Sequence, residues 1–231
     1  MPDADPWEIP YIARAGGFES CGMWVDPEAG WDSLALAKTR RSLAANGVKL
    51  VDVEPLWLEK SESIQKTVVS AGIELGSRNI LVVSREPDMQ RAQEKFLVLC
   101  DFAGTEIRLA LEFGVFTAIK SLHEAVTFVR EVGHASAGVL IDQMHLNRSG
   151  ESLPDLTDPL FPYVQACDFP ASSREKDGTD YIVAAVDERC PLGEGDASHA
   201  DSETIRNGEI DVSLEIRSKA LREEFPDPKE R

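Results

Sequence analysis

The chain has 231 residues, of which 42% are hydrophobic and 28% charged, a composition typical of a folded globular protein rather than a disordered one. Its 41 acidic residues against 24 basic ones give a formal net charge of −17. Such a charge repels phosphate backbones and anionic lipid, which argues against a nucleic-acid partner or a membrane-surface partner.

Short apolar runs alternate along the chain with longer amphipathic stretches, which predicts alternating strands and helices. Strands are predicted at Glu19–Val25, Val48–Val53, Asn79–Val83, Ile107–Phe113, Ala137–Ile141, Phe161–Ala166 and Asp211–Ile216. Helices are predicted at Pro6–Ala15, Ser33–Asn46, Ser61–Leu75, Pro87–Ala103, Ser121–Val132 and, as a polar helix and tail, Lys219–Arg231. Ser172–Asn207 is less regular, and we predict a helix around Tyr181–Asp187 between two loops, the second at Cys190–Ala200.

Seven strands joined through helical or loop crossovers indicate a parallel sheet, because a crossover helix returns the chain to the same edge. The pattern therefore predicts an α/β fold, either an open doubly wound sheet or a barrel. A doubly wound nucleotide-binding fold needs a glycine-rich turn after its first strand, and the sequence contains neither GxGxxG nor GxxxxGK[ST]. The run Asn79–Val83 is almost wholly apolar, as expected for a strand buried on both faces.

The cysteines are widely separated and form no CxxC pair, which argues against a zinc ribbon or a thioredoxin-type site. They are Cys21, Cys100, Cys167 and Cys190. The sequence opens with MPDADPWEIP, which has neither the basic nor the apolar segment of a secretion signal. We therefore expect reduced thiols and a cytoplasmic location.

Polar side chains stand at or just beyond the carboxyl ends of the four later predicted strands. They are Glu112, Asp142 with His145, Gln165 with Asp168, and Glu215. In a parallel α/β array this end carries the active site, and converging oxygen and nitrogen groups suit Mg²⁺, Mn²⁺ or a similar ion. Each residue alone is equally well explained as the solvated start of a loop, but four in a row at the same end favour a common site.

The segment Ile141–Gly150 (IDQMHLNRSG) is the most informative of these strand ends. Asp142 and His145 lie three residues apart where the strand runs into a predicted loop, so both can reach one pocket. Arg148 follows as a candidate anchor for an anionic or polyhydroxy substrate.

These segments resemble the sugar phosphate isomerase/epimerase family, which has the xylose-isomerase-like TIM barrel. The resemblance is carried by LALEFGVFTAIKSLHEA (Leu109–Ala125), GVLIDQMHLNRSG (Gly138–Gly150), YVQACDFP (Tyr163–Pro170), PLGEGD (Pro191–Asp196) and SLEI (Ser213–Ile216). VKLVDVEPLWL (Val48–Leu58) is similar to the third-strand region of the same proteins. The resemblance covers nearly the whole chain in order, and it implies a single barrel domain over residues 1–231.

In that family a Glu, an Asp, a His and a second Glu bind a divalent metal, and the two glutamates also form the acid/base pair. The resemblance implies Glu112, Asp142, Gln165 and Glu215 as metal ligands, with Glu112 and Glu215 catalytic. The ion would be Mn, Mg, Co or Zn.

Substrate contacts are implied for a second group of residues. His145 matches the family's substrate-contacting histidine, and Glu54 stands where an earlier strand contributes a polar group. With Arg148 and Asp168 these residues form the predicted substrate-binding set. The expected substrate is a small polyhydroxy compound or keto acid.

The sequence departs from the family pattern in two places. The third metal ligand is usually His, whereas this chain has Gln165, whose amide oxygen still suits a hard ion but lacks imidazole's preference for Zn²⁺, Co²⁺ or Mn²⁺. The sequence also begins at what resembles the first helix, so seven strands are expected where eight close the ring. Either the start site is placed too late, or the barrel is open and its gap is filled by a partner or by Met1–Pro10. An open strand edge of this kind would favour a homodimer.

The sequence thus predicts a divalent-metal isomerase or epimerase acting on a keto-sugar-like substrate. One alternative is a lyase resembling dehydroshikimate or inosose dehydratases, because loss of a β-hydroxyl from the same enediolate would be a dehydration. A second alternative is a catalytically impaired binding protein, which Gln165 and the missing strand would explain. A third, an apurinic endonuclease, is disfavoured by the charge of −17 and the scarcity of histidine ligands.

Overall fold

The computed structural model describes residues 3–172 and 178–230, in which parallel strands alternate with helices. The strands are β1 (Ser20–Trp24), β2 (Lys49–Trp57), β3 (Asn79–Val83), β4 (Arg108–Leu111), β5 (Ala137–Val139), β6 (Ile141–Asp142), β7 (Tyr163–Ala166) and β8 (Asp211–Leu214). The helices are α1 (Ile9–Ala15), α2 (Ser33–Asn46), α3 (Glu62–Leu75), α4 (Met89–Ala103), α5 (Leu122–Val132), α6 (Gln143–Ser149), α7 (Gly178–Asp187), α8 (His199–Asn207) and α9 (Lys219–Glu224). None of these helices is long and apolar enough to cross a membrane.

All strand pairs are parallel, and neighbours in the sheet follow the order of the chain. One ladder runs β1-β2-β3-β4-β5 and a second runs β6-β7-β8. Only Leu140 separates β5 from β6, and its N–H donates to the carbonyl of Leu111 at 3.0 Å, so the two ladders share one extended segment. The described residues therefore form seven strand positions, as predicted, and they confirm the parallel α/β fold.

Most helix boundaries fall where local sequence signals place them. The carboxylate of Asp32 accepts the N–H groups of Leu34 at 2.9 Å and Ala35 at 2.8 Å, which starts α2. The same helix ends at Gly47, whose φ of 62° is a left-handed conformation that glycine adopts without strain. Ser61 and Ser121 cap α3 and α5 in the same way as Asp32 caps α2.

Two helices, α6 and α8, are absent from the sequence prediction. Asp142 caps α6 by accepting the N–H of His145 at 2.7 Å, so His145 lies on a helix and not in the predicted loop. Ser198 caps α8, which begins inside the second predicted loop. The first predicted loop of that region falls partly on residues 173–177, outside the described part of the chain.

The strand β3 is buried on both faces, as its apolar sequence predicts. Ile80 and Val82 pack outward in a cluster that includes helix residues such as Phe96. The alternate residues face inward, where they join a separate apolar cluster in the ring: Val51, Leu81, Val83, Ala110, Leu140 and Tyr163. This alternation places even the short strands between two packed layers.

The ring closes differently at the seam, by which we mean the facing edges of β1 and β8. Both strands lie wholly within the described residues, and no backbone ladder joins them. They meet through side chains: the Arg217 guanidinium lies 6.0 Å from the centre of the Trp24 ring. A Cβ atom added to Gly22 would lie 2.3 Å from Asp52 Oδ1 and 3.6 Å from Ser213 Oγ, so only glycine fits where the two edges approach.

Candidate metal centre

The four predicted metal ligands stand side by side at the carboxyl ends of their strands. Glu112 follows β4 directly, and Asp142 is the last residue of β6. Gln165 pairs in register with Asp142 on β7. Glu215 follows β8, and its N–H donates to the carbonyl of Ala166 at 3.0 Å. The order of the strands therefore places Asp142 and Gln165 between the two glutamates.

Three carboxylates share this buried centre, and their pKa values diverge. Burial, together with the charges of Glu215 and Asp142, holds the pKa of Glu112 well above its usual range. Burial also raises the pKa of Glu215 to about 8, although Arg189 opposes the shift. Burial pushes the pKa of Asp142 upward too, but Arg189 and His145 outweigh it and lower that pKa to about 2. The raised pKa values of Glu112 and Glu215 mean that one arginine does not stabilise three ionised carboxylates at this depth.

Arg189 is the cation of this centre, and sequence reasoning missed it. Its side chain is only 2% exposed. Its Nη1 donates to Asp142 Oδ2 at 2.6 Å, and its Nη2 lies 3.0 Å from Glu215 Oε2 in an ion pair. Its Nε donates to the carbonyl of Ala185 at 2.9 Å, which fixes the guanidinium from the helix side. The sequence did offer one signal, because only Cys190 separates Arg189 from the segment PLGEGD that carries the family resemblance. A lone Arg beside a loop is usually exposed, however.

His145 is buried beside the carboxylates and turns one ring nitrogen toward them. Its Nδ1 hydrogen-bonds the Tyr181 hydroxyl at 2.6 Å, and its Nε2 lies 3.7 Å from Glu112 Oε1. Burial lowers the pKa of His145 to about 4, so its ring is neutral near pH 7. Glu112, Asp142 and His145 each offer an atom within 4.8 Å of the other two, a cluster that could hold a metal ion.

Among the described residues, the buried Gln165 Oε1 has no hydrogen-bond partner, and Glu215 Oε2 has only its ion pair with Arg189. The Gln165 amide donates through Nε2 to Glu54 Oε2 at 3.1 Å, which leaves its carbonyl oxygen without a partner. A buried oxygen without a partner is costly, and a cation bound there would satisfy Gln165 Oε1 and favour the ionised forms of the two glutamates. This donor set of carboxylates, an amide oxygen and one imidazole fits a divalent ion.

The other predicted substrate-binding residues have different surroundings. Glu54 contacts Gln165 directly, whereas Arg148 lies one layer away, with its guanidinium 5.2 Å from the centre of the Tyr181 ring. Asp168 accepts the N–H groups of Phe169, Gly193 and Ala197 at 2.8–3.0 Å, so its carboxylate holds the loop after β7 to the loop that follows Arg189. Substrate contact by Asp168 stays a prediction.

Most of the sequence matches one known protein family. The family model described as "Xylose isomerase-like TIM barrel" matches residues 10–208. The chain belongs to this family. The family resemblance inferred from the strand-end motifs is thereby confirmed. No protein of curated function matches the sequence.

Solved structures show the same fold at low sequence identity. The IOLI protein with a bound zinc atom is 14% identical with a TM-score of 0.71, over 92% of this chain and 84% of that one. The probable 3-DHS dehydratase AsbF of Bacillus anthracis is 16% identical with a TM-score of 0.71, over 96% and 91%. A D-psicose 3-epimerase with D-fructose is 22% identical with a TM-score of 0.66, over 91% and 80%.

In one further structure the similarity is confined to part of a longer chain. This is a xylose isomerase-like TIM barrel/4-hydroxyphenylpyruvate dioxygenase fusion protein, 20% identical with a TM-score of 0.72. The similarity covers 92% of the present chain and 37% of the fusion protein.

Proposed function

We propose that this chain is a sugar or sugar-phosphate isomerase or epimerase, with one barrel domain, a divalent ion and two glutamates that move a proton. The observation that carries the proposal is that Glu112, which is buried, and Glu215, whose side chain is 17% exposed, lie at one mouth of the ring with Asp142 and Gln165 between them. The similarity to an epimerase and to a zinc-containing relative supports the same chemistry.

The ion would be held by oxygen atoms of Glu112, Asp142, Gln165 and Glu215. His145 Nε2 is a further candidate donor, because its other ring nitrogen is already bonded to Tyr181. Oxygen donors favour Mg²⁺ or Mn²⁺, whereas an imidazole donor favours Zn²⁺ or Co²⁺. When bound, the ion supplies a Lewis acid that polarises a substrate carbonyl and makes the neighbouring C–H group more acidic.

The two glutamates perform the proton transfer in this proposal. One carboxylate removes the proton from the carbon beside the carbonyl, and the same or the other carboxyl returns it. Return to the opposite face gives an epimer, and return to the neighbouring carbon exchanges an aldose with a ketose. Loss of a β-hydroxyl would instead give a dehydration, which is the reaction named for the AsbF relative.

The neighbouring side chains would bind and orient a polyhydroxy substrate. His145 faces Glu112, and Glu54 is fixed by its hydrogen bond from Gln165. Arg148, stacked beside Tyr181, would attract a phosphate or carboxylate at the edge of the mouth. Asp168 would act indirectly, because it anchors the loop that leads from Arg189.

The test is proton exchange by the Glu215→Gln variant, which loses a base and a charged ligand together. We expect Mn²⁺-loaded protein to incorporate deuterium from D₂O at the carbon beside the carbonyl of keto-sugars. The rate of incorporation is measured by NMR. The variant should lose about 10³-fold of this rate while keeping its fold. The matched control is Glu209→Gln, because Glu209 is exposed just before the opposite end of β8.

Two outcomes would decide against the proposal. A deuterium exchange rate in Glu215→Gln equal to that of the wild type would show that Glu215 does not transfer the proton. A conjugated product that absorbs in the ultraviolet, formed from cyclic keto acids and not from keto-sugars, would replace the isomerase by a dehydratase.

A further inference from the structure

Arg189 connects two of the carboxylates to which the metal ion is assigned. Its Nη1 lies 2.6 Å from Asp142 Oδ2, and its Nη2 lies 3.0 Å from Glu215 Oε2. The same Nη1 is 3.1 Å from Cys167 Sγ, and Nε is bonded to the Ala185 carbonyl. The guanidinium is therefore held on three sides and cannot leave the centre without breaking these contacts.

The burial of this arginine makes its charge effective. Arg189 and Asp142 are 2% and 1% exposed at their side chains, and Glu215 is 17% exposed. Water screens charges poorly at such depth, so attraction to the carboxylates and repulsion of a second cation are both strong. A guanidinium also remains protonated at any pH at which the protein is folded.

The guanidinium and the ion compete for the same oxygen atoms. A divalent ion bound by Asp142 and Glu215 would sit within a few ångströms of Nη1 and Nη2. It would bind the same carboxylate oxygens that Nη1 and Nη2 contact, and the fixed positive charge of the guanidinium would repel it. Glu112 and Gln165 Oε1 have no such cationic partner within hydrogen-bonding distance among the described residues, so competition falls on one side of the centre.

We propose that Arg189 is a built-in counter-cation that shares Asp142 and Glu215 with the divalent ion and lowers the affinity of the centre for it. This inference rests on the metal assignment made under the proposed function. It adds that the ion shares two carboxylates with Arg189, so that its binding weakens two ion pairs.

An opposite role for Arg189 leads to an opposite result. If the guanidinium only oriented the carboxylates for the ion, its removal would misplace them and weaken binding of the ion. The sign of the change in affinity therefore separates a competitor from a positioning residue.

The experiment compares Mn²⁺ binding to the metal-free wild type and to Arg189→Met by isothermal titration calorimetry. Met keeps the length of the buried stem and removes the charge. We expect Arg189→Met to bind Mn²⁺ at least tenfold more tightly than the wild type. Arg189→Lys keeps a charge but loses the forked geometry, so its affinity should lie between the other two.

The matched control is Arg206→Met, which changes the net charge equally at an exposed ion pair with Glu203. Its Mn²⁺ affinity should stay within twofold of the wild type. A second readout guards against poor folding of the buried variant: the melting temperature with and without Mn²⁺. The increase caused by Mn²⁺ should be larger in Arg189→Met, because only the ion then neutralises Asp142 and Glu215.

The outcomes separate this inference from the proposed function. Saturable binding by the wild type with unchanged or weaker binding by Arg189→Met and Arg189→Lys would overturn the counter-cation and leave the metal enzyme standing. Binding by Arg189→Met alone would support the counter-cation and reject a metal-dependent function for the native chain. Absence of binding by the wild type and every variant would overturn both.

Discussion

From β2 to β5 every neighbouring pair of strands is joined by a parallel backbone ladder, whereas β8 and β1 meet only through side chains. The two regions also differ inside the ring. Along the ladder-paired wall an apolar cluster faces inward, which includes Leu81 and Ala110. Where the two edges approach, Gly22 of β1 and Ser213 of β8 lie beside Asp52 of the neighbouring strand β2. The same ring is thus closed by hydrogen-bonded backbone and apolar packing on one side and by small or polar side chains on the other.

The difference shows what a seven-strand ring requires where its edges approach without pairing. The residue on one edge must be small enough to admit the neighbouring side chain, and Gly22 satisfies this for Asp52. The polar groups drawn inward there, the carboxylate of Asp52 and the hydroxyl of Tyr163, are buried and interact with each other. We therefore expect the paired wall to contribute most of the stability and the seam to contribute least.

The largest effect is expected for a leucine on the paired wall compared with a leucine at the seam. Leu109 on β4 is fully buried in the main core, whereas Leu214 on β8 is 42% exposed. Leu109→Ala should lower the free energy of unfolding by about 2–5 kcal/mol because it leaves a cavity. Leu214→Ala should lower it by less than about 1 kcal/mol, since a large part of its surface already meets water. Urea unfolding of both variants measures the difference.

Equal losses of unfolding free energy in the two leucine variants would contradict the comparison, because they would mean that β8 is packed as firmly as β4. Amide hydrogen exchange provides an independent check. The amides of β3 and β4 should exchange only through global unfolding, and those on the free edges of β1 and β8 should exchange by local opening.

The next effect concerns the close approach at Gly22. A Cβ atom there would lie 2.3 Å from Asp52 Oδ1, so Gly22→Ala must displace a buried carboxylate. We expect a loss of about 1–3 kcal/mol in unfolding free energy, the range for overpacked sites. Asp52→Ala removes the obstructing atoms, so the double variant should be more stable than the sum of the single losses predicts. Strict additivity would show that the contact with Asp52 is not the reason for glycine at this position.

Much of the fold follows from short-range sequence signals. The apolar run of β3 predicts its burial on both faces, and Asp32 and Gly47 predict the ends of α2. The positions of Glu112 and Glu215 at predicted strand ends were also enough to identify them as candidate site residues. Parallel strands bring their carboxyl ends together even when the strands are far apart in sequence.

The features that sequence did not reveal depend on distant partners. Arg189 looks like a surface residue until Asp142 and Glu215, from two other strand ends, surround it. The helix α6 begins at a cap, Asp142, that sequence reasoning had interpreted only as a ligand. In the sequence, Asp52 alternates with apolar residues of β2, as a solvent-facing strand residue would. Its enclosure depends on the approach of β8 to β1, which the sequence does not show.

The last effect is the change of unfolding free energy with pH that Asp52 causes, which is small for each pH unit. Burial and the charge of Glu54 raise the pKa of Asp52 to about 8, although Tyr163 lowers it in part. An unfolded aspartic acid titrates near pH 4, so between about pH 4 and 8 the folded protein binds a proton that the unfolded chain has released. The contribution of Asp52 to stability is therefore fully present at low pH and is lost as pH rises toward 8.

Asp52→Asn keeps the shape of the side chain and removes its titration. Relative to the wild type, the variant should gain unfolding free energy as pH rises from 5 to 8, by at most about 1.4 kcal/mol per pH unit, and the gain should level off above that pH. Asp180→Asn, at the exposed start of α7, removes the same charge and should show no such slope. A constant difference between wild type and Asp52→Asn from pH 5 to 9 would mean that a cation or water already satisfies this carboxylate. The seam would then be as well compensated as the wall opposite it.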